Sequence, residues 1–390
     1  MERGTRAKGA RRSPLAAALT LPDEVTCDIF LRLPDKAILR CGAVCRAWRD
    51  VISTAVFLNA YQEQQPSLPL GIFHNESSSC GRDDVVDAAV DAFDLRGSPA
   101  KRQPVLRFND YNFRRQFSVF ASCDGLILLS LSNGLFYLCN PATRQWIPLP
   151  SLSSTTVVGL YPYGSSGEYR ILHKEWRHEG DKSNYAYYVL TVGSSAEPRC
   201  LGFVDSLFAK PSLGHISSSP PVLLHDCLHW DEKAPNHGLI VFDTDAESFR
   251  CIRAPTPNSH VVEMDGLLGI SHVNKTDMAV EIRVIQDYKT EVWSLKYKIN
   301  LPVADMGCIA QKCQIDAVVV SKSGHVLVRC CSDRRMFHFD SNSKLLQMWD
   351  DNLPLVNGYW FRKSLCKHSF FRRQKGGRVK QLPRFFRGLL

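Results

Sequence analysis

One arrangement recurs along this chain and limits its architecture more than any other. Two short apolar runs flank a polar turn, and a second turn then leads into a further run. The clearest copy starts at Cys123-Asp124-Gly125 and continues through Leu126-Ile127-Leu128-Leu129, a turn at Ser132-Asn133-Gly134, and Leu135-Phe136-Tyr137-Leu138. It ends with Asn140-Pro141-Ala142-Thr143-Arg144-Gln145-Trp146 and Leu149-Pro150. Weaker copies run from Leu228-His229-Trp230 to Asp243 and Phe249, and from Gly324 through Met336-Phe337-His338-Phe339 to Asp340 and Leu346. Two less regular hairpins lie between them, near Tyr187-Tyr188-Val189 and near Ile282 to Leu295. Marking each unit at its second turn gives Asp94, Asn140, Thr191, Asp243, Ser294 and Asp340, which are 46 to 52 residues apart. Short apolar runs bounded by Gly, Asn, Asp, Pro and Ser read as β-strands. A small sheet of such strands has two apolar faces and needs a neighbour on each, so the units are expected to stack.

A period near fifty residues with four short strands per unit is the kelch-type β-propeller pattern. Six units fit residues 70–350, at about 47 residues each. The first of them, residues 70–110, matches the repeat poorly. The expected fold is therefore multidomain. A small all-α segment precedes an all-β, kelch-like propeller, with six blades as the best-fitting number.

The all-α segment is residues 21–52, LPDEVTCDIFLRLPDKAILRCGAVCRAWRDVI. Leu21, Val25, Ile29 and Leu33 recur at the helical period. Pro22 suits the first helical position, and Asp23 and Glu24 suit the positive end of the helix dipole. Pro34 stops that helix. Asp35 is expected to cap a short second turn carrying Ile38 and Leu39. A third helix is expected to place Cys41, Val44, Cys45, Trp48 and Ile52 on one face, with Gly42 inside it at a cost of about 0.5–1 kcal/mol. So small a helical unit with so long an apolar ridge is expected to dock against a partner.

This stretch resembles an F-box. The residues that carry the resemblance are Leu21-Pro22-Asp23-Glu24-Val25, Ile29-Phe30, Arg32-Leu33-Pro34 and Val44-Cys45-Arg46-Ala47-Trp48, in order and at the family's spacing; Phe30 stands where leucine is usual. The resemblance implies a partner, the Skp-family adaptor, and through it the cullin of an SCF-type ubiquitin ligase. The implied adaptor contacts are Leu21, Pro22, Val25, Ile29, Leu33, Pro34, Leu39, Val44, Cys45 and Trp48. The later region resembles the C-terminal domain of plant F-box-associated proteins, through Cys123-Asp124-Gly125-Leu126, Asn140 to Trp146, Leu228-His229-Trp230 and Val292-Trp293-Ser294-Leu295. It departs from that family at Asp226-Cys227, where a turn ending in glycine is usual. The implied role of this domain is to bind a protein substrate, so the chain is expected to be a non-catalytic receptor within the ligase.

The expected boundaries are a disordered basic leader at 1–20, the F-box at 21–60, a linker at 61–69, the propeller at 70–371 and a basic tail at 372–390. The net charge of +9 is unevenly placed: +4 falls in residues 1–20 and +10 in residues 362–390, so the middle is mildly acidic. No run of eighteen apolar residues occurs, which argues against a membrane span. Fourteen cysteines in so long a chain, several of them within apolar patterns, point to small buried hydrophobes in a reducing compartment, the nucleus or cytoplasm.

Candidate chemistry is sparse. On a strand, His225, Cys227 and His229 would share one face, but no fourth ligand stands at a zinc spacing. His325, Cys330, Cys331 and His338 fall on one hairpin, where the adjacent cysteines must point apart. No nucleophile elbow, phosphate loop or His-Glu-x-x-His is present, so no cofactor, metal or catalytic residue is expected. The substrate is expected to meet turn residues, with Tyr163, His178 and His260 as candidates from Tyr161-Pro162-Tyr163-Gly164, Trp176-Arg177-His178 and Pro257-Asn258-Ser259-His260. Tyr161 and Trp176 can equally be core residues of their own sheet. An alternative function is RNA or anionic-partner binding through the tail, where Phe370, Phe371, Phe385 and Phe386 stand among basic residues. Part of that stretch, Tyr359 to Phe371, resembles the last strand of the plant F-box-associated domain, which implies a structural role and argues against nucleic acid.

Overall fold

The computed structural model describes residues 21–75, 87–97, 99–109, 117–132, 135–150, 152, 155–164, 167–179, 182–203, 220–231, 238–257, 259–301, 315–319, 324–330, 335–349 and 355–374. The leader 1–20, the tail beyond 374 with Phe385 and Phe386, and the turn residues Asn133, Gly134, Asn258 and Cys331 lie outside them. The chain divides into two units, one ending at Gln65 and one beginning at Pro66.

The first unit is helical: α1 (Asp23–Leu31), α2 (Asp35–Val44), α3 (Arg46–Ile52) and α4 (Ala55–Gln64). Pro22 and Pro34 each stand one residue before a helix in extended backbone, so Pro22 caps α1 instead of opening it. Asp35 is correspondingly the first residue of α2 and not its cap. The expected third helix from Cys41 is also corrected: Cys41 to Val44 finish α2, and the break falls at Cys45, which is fully extended (φ −152°, ψ 168°). The physical reason is a new cap, since the Cys45 sulfur accepts the Trp48 N–H at 3.5 Å. Gly42 permits the fold-back that follows. A Cβ there would stand 2.8 Å from Ile52 Cδ1, and its carbonyl accepts Arg49 Nε at 2.9 Å. The glycine is thus a close-approach site and not simply a weak helix residue. Thr54 caps α4, and Phe57 and Tyr61 project from it into a core with Phe30 and Ile38. The expected linker 61–69 shrinks to Gln65 and Pro66, because α4 runs through Gln64 and the next strand begins at Ser67.

The second unit is six four-stranded antiparallel sheets. Sheet one holds β1 (Ser67–Asn75), β2 (Asp87–Asp94) and β3 (Lys101–Asn109). Sheet two is β4 (Ser118–Cys123), β5 (Leu126–Ser132), β6 (Leu135–Asn140) and β7 (Gln145–Pro148). Sheet three is β8 (Thr155–Tyr163), β9 (Glu168–Glu179), β10 (Lys182–Thr191) and β11 (Arg199–Phe203). Sheet four is β12 (Val222–Leu224), β13 (Cys227–Asp231), β14 (Gly238–Asp243) and β15 (Ser248–Arg253). Sheet five is β16 (His260–Met264), β17 (Leu267–Asn274), β18 (Ala279–Asp287) and β19 (Val292–Asn300). Sheet six is β20 (Ile315–Val319), β21 (Val326–Cys330), β22 (Arg335–Phe339) and β23 (Leu345–Trp349). The last strand, β24 (Leu355–Arg362), returns to sheet one and pairs with β1, so that sheet is built from both ends of the domain.

Strand alternation then closes a ring. In β5, Leu126 and Leu128 join a cluster with sheet three, while Ile127 and Leu129 join one with sheet one. In β14, Ile240 and Phe242 face sheet three and Leu239 and Val241 face sheet five. Further clusters join sheets five and six, and sheets six and one. Every sheet therefore has a buried neighbour on each side, which is a six-bladed β-propeller.

The repeat marks coincide with turns between third and fourth strands. Asp94, Asn140, Asp243 and Asp340 each accept backbone N–H groups one or more residues ahead, at 2.8–3.2 Å. The mark at Ser294 is corrected to Asp287, which does the same for Lys289 N–H; Ser294 lies inside β19. These side chains mimic a turn's own carbonyl, which is why Asp and Asn recur there.

Candidate functional site

In the helical unit, the apolar residues divide into a buried set and an exposed set. Phe30, Ile38, Phe57 and Tyr61 are buried. Phe30, in the usual leucine position, meets Trp48 edge-on at 5.2 Å and Phe57 at 6.4 Å. Leu21, Val25, Ile29, Leu39, Val44 and Trp48 remain exposed, from 38% at Trp48 to 65% at Val44. Pro22, Pro34 and Cys45 are also exposed, and Leu33 is half-buried. Leu21, Val25 and Ile29 follow the helical period along α1 and its entry, while Leu33 lies past the end of that helix. With Val56 of α4, which is more exposed still, seven large apolar side chains of this small unit are left in water, well beyond what scattered surface residues need.

In the propeller, the inner three strands of every sheet run the same course. The turns between first and second strands, and between third and fourth, fall at one end of the ring. The second-to-third hairpins and the sheet-to-sheet connections fall at the other. Tyr163 ends β8 at the first of these ends. It is half-buried, with the Arg170 guanidinium 3.2 Å from its ring centroid. His178 is exposed near the far end of β9, and half-buried His260 starts β16. His178 and His260 therefore share an end and Tyr163 does not, so the three candidates do not form one surface. His178 stands on a strand, not in a turn. Tyr161 is a core residue, whereas Trp176 is 50% exposed.

The candidate metal residues take structural roles. His225 and Asp226 have φ of 50° and 54° and form the β12–β13 turn, so His225 is not in strand alternation with Cys227. His229 is buried, with Nδ1 3.1 Å from the Val222 carbonyl and Nε2 against the Tyr288 hydroxyl. Since the carbonyl can only accept, Nδ1 carries the proton and Nε2 accepts from Tyr288. Burial holds this imidazole down at about 4. His325 Nδ1 lies 3.0 Å from His338 Nε2, and burial with the neighbouring His325 lowers His338 to about 4. Among the described residues, no group of three or more His, Cys, Asp or Glu side chains could hold a metal ion.

Phe370 and Phe371, the described aromatic residues of the tail stretch, are placed differently from a nucleic-acid footprint. After β24 the chain crosses the turn end of sheets two and three and enters a 3-10 turn, Ser369–Gln374. Asn140 donates from its side chain to the Ser364 carbonyl at 3.1 Å. His368 and Phe370 stack at 5.0 Å and meet Tyr169 edge-on, and Tyr169 donates to Asp124 at 3.0 Å. Phe370 belongs to the core between sheets two and three, with Phe371 packed against it. Sequence reasoning left these two aromatic residues open between a surface and a core role, and the structure decides for the core.

Residues 18–58 match the F-box-like family, and residues 98–349 match the family described as the F-box associated beta propeller domain. The chain is 24% identical over 306 residues to F-box protein At5g49610 of Arabidopsis thaliana, covering 72% of this chain and 79% of that protein. It is 25% identical over 313 residues to F-box protein At3g07870 of the same plant, covering 72% and 73%. F-box/LRR-repeat/kelch-repeat protein At1g09650, also from Arabidopsis thaliana, is 24% identical over 306 residues, covering 73% and 78%. Likeness to solved structures is slight: TolB from Acinetobacter baumannii covers 80% of this chain and 70% of its own at 10% identity, with a TM-score of 0.39.

Proposed function

Because the chain belongs to the plant F-box proteins that carry an associated β-propeller domain, we propose that it is the substrate-recognition subunit of an SCF-type ubiquitin ligase. The F-box binds the Skp-family adaptor, and through it the cullin. The propeller holds the protein to be ubiquitinated. The transfer chemistry belongs to other subunits, and this chain contributes binding and placement. It works in the nucleus or cytoplasm, in keeping with the free thiols of Cys27, Cys45, Cys139 and Cys227.

The observation that carries this reading is the double-sided helical unit. Its inward residues suffice for a core, yet Leu21, Val25, Ile29, Leu39, Val44 and Trp48 remain in water. Apolar anchors of this kind dominate protein interfaces, each worth on the order of 2 kcal/mol when truncated. The test is capture of the purified Skp-family adaptor. Leu21→Ala combined with Pro22→Ala is expected to weaken it by more than about tenfold without unfolding the helices, since both residues are exposed. Unchanged capture by that double variant would refute the docking model.

A further inference from the structure

The long hairpin of sheet three carries a lysine ammonium that no acid pairs with among the described residues. β9 and β10 pair over ten positions, from Arg170–Thr191 out to Glu179–Lys182. β8 accompanies β9 only to Glu175, and β11 accompanies β10 only to Ala186. Among the described residues, the segments around Trp176 to His178 and Asn184-Tyr185 thus continue past the four-stranded part of the sheet as a two-stranded ribbon. Alternation puts Lys174, Trp176 and His178 on one face, opposite Tyr187 and Tyr185 across the register. Glu175 and Arg177 share the other face, where they pair with each other.

The first face holds no carboxylate among these five residues. Trp176 is half-exposed and meets Tyr185 edge-on at 4.8 Å. Lys174 is only 9% exposed, with Nζ 4.7 Å from the Tyr185 ring centroid. No hydrogen bond or ion pair is made by its ammonium among the described residues. Burial lowers its pKa and no acid opposes that. A desolvated cation of this kind is costly unless something pairs with it, and the aromatic face alone only partly does so.

We propose that this face is a binding site for a peptide that carries an anionic side chain, carboxylate or phosphate, next to an apolar one. The anionic oxygen meets Lys174 Nζ, and the apolar side chain lies on Trp176. Charge complementarity selects the occupant: the arriving anion restores the interaction that Lys174 lost on burial, and none of the five residues named on this face carries a like charge. An extended peptide also fits the ribbon's length better than a small free anion, because the exposed indole beside the lysine offers apolar area that such an anion leaves uncovered. This site rests on the substrate-receptor reading for its biological role, and it assigns that role a substrate class.

The test uses the full chain and fluorescein-labelled short peptides that differ only after a central leucine: Leu-Asp, Leu-phosphoserine, Leu-Ser and Leu-Lys. Anisotropy is expected to show binding of the aspartate or phosphoserine peptide, with the serine and lysine peptides weaker by roughly tenfold or more. Binding of one anionic peptide alone identifies the source of the anion, and binding of both leaves the class as stated. Lys174→Met should abolish the discrimination, Lys174→Arg should keep it, Trp176→Ala should weaken the anionic peptides, and Val292→Ser on the outer strand of sheet five should change nothing. Equal binding of all four peptides, or of none, would overturn the proposal. So would Lys174→Met that melts higher and still discriminates, since the lysine would then be a tolerated defect. Binding of poly(U) that depends on Lys174, without peptide binding, would replace the peptide by a nucleic acid. Adaptor capture is measured on the same preparations. Capture without peptide discrimination removes this site and leaves the receptor reading; Lys174-dependent peptide binding without capture does the reverse.

Discussion

His229 illustrates how one residue can be read for chemistry and prove to be architecture. Its Nδ1–H donates to the Val222 carbonyl, and its Nε2 accepts from the Tyr288 hydroxyl, which joins sheet four to sheet five. Tyr288→Phe is expected to leave Nε2 buried without a donor and to destabilise the propeller by about 1–3 kcal/mol, measured by urea denaturation. The pH dependence has a definite sign. Burial lowers His229 to about 4, so as pH falls the unfolded chain takes up the proton first. The stability that the neutral ring contributes is complete above about pH 6.5 and is lost progressively toward pH 4, on the order of 3 kcal/mol at most. The denaturation midpoint should therefore drop between about pH 7 and about pH 5, and His338 contributes in the same direction.

At the scale of the element, the segment after β24 works as a strap across the turn end of sheets two and three. Gly193 makes room for it. That residue has φ of 76°, and a Cβ there would stand 2.6 Å from Phe370 Cβ. Phe370 in turn fills a space among Leu160, Leu190 and Val192 of sheet three and Leu126, Leu138 and Leu149 of sheet two. Phe370→Ala is expected to cost about 3–5 kcal/mol, the range for a buried phenylalanine, and to lower the thermal midpoint of the propeller. A variant that melts as the parent does would mean that the ring is dispensable to the core.

For the whole molecule, closure depends on a strand from the far end of the sequence. β24 supplies Phe361 to the core shared by sheets one and two, and its register runs along β1 from Ser67 to Ile72. Ending the chain before Leu355 removes that strand and the strap together. The expected outcome is loss of a single cooperative transition by circular dichroism and rapid cleavage within residues 66–110 under limited proteolysis. Removing residues 1–65 leaves all six clusters intact and should leave the propeller's transition in place.

Much of this was legible in the sequence by itself. The helical period of Leu21, Val25 and Ile29, the Asn140-to-Trp146 string and the spacing of Asp94, Asn140, Asp243 and Asp340 arise from local physics: side-chain periodicity, proline stops and side-chain caps on turns. Those causes act within a few residues, so they leave a readable pattern. The less regular fifth unit misled at Ser294 because a neighbouring Asp287 held the turn. What only the tertiary structure decided depends on contacts between distant residues. Whether Phe370 faces water or a core depends on Gly193 and Leu160, far from it in sequence. Whether Tyr163 and His178 share a surface depends on which end of a strand each occupies. Whether a lysine is solvated or held at 9% exposure beside Tyr185 depends on how one sheet packs on the next. Burial is a property of the closed ring, and no local sequence pattern specifies it.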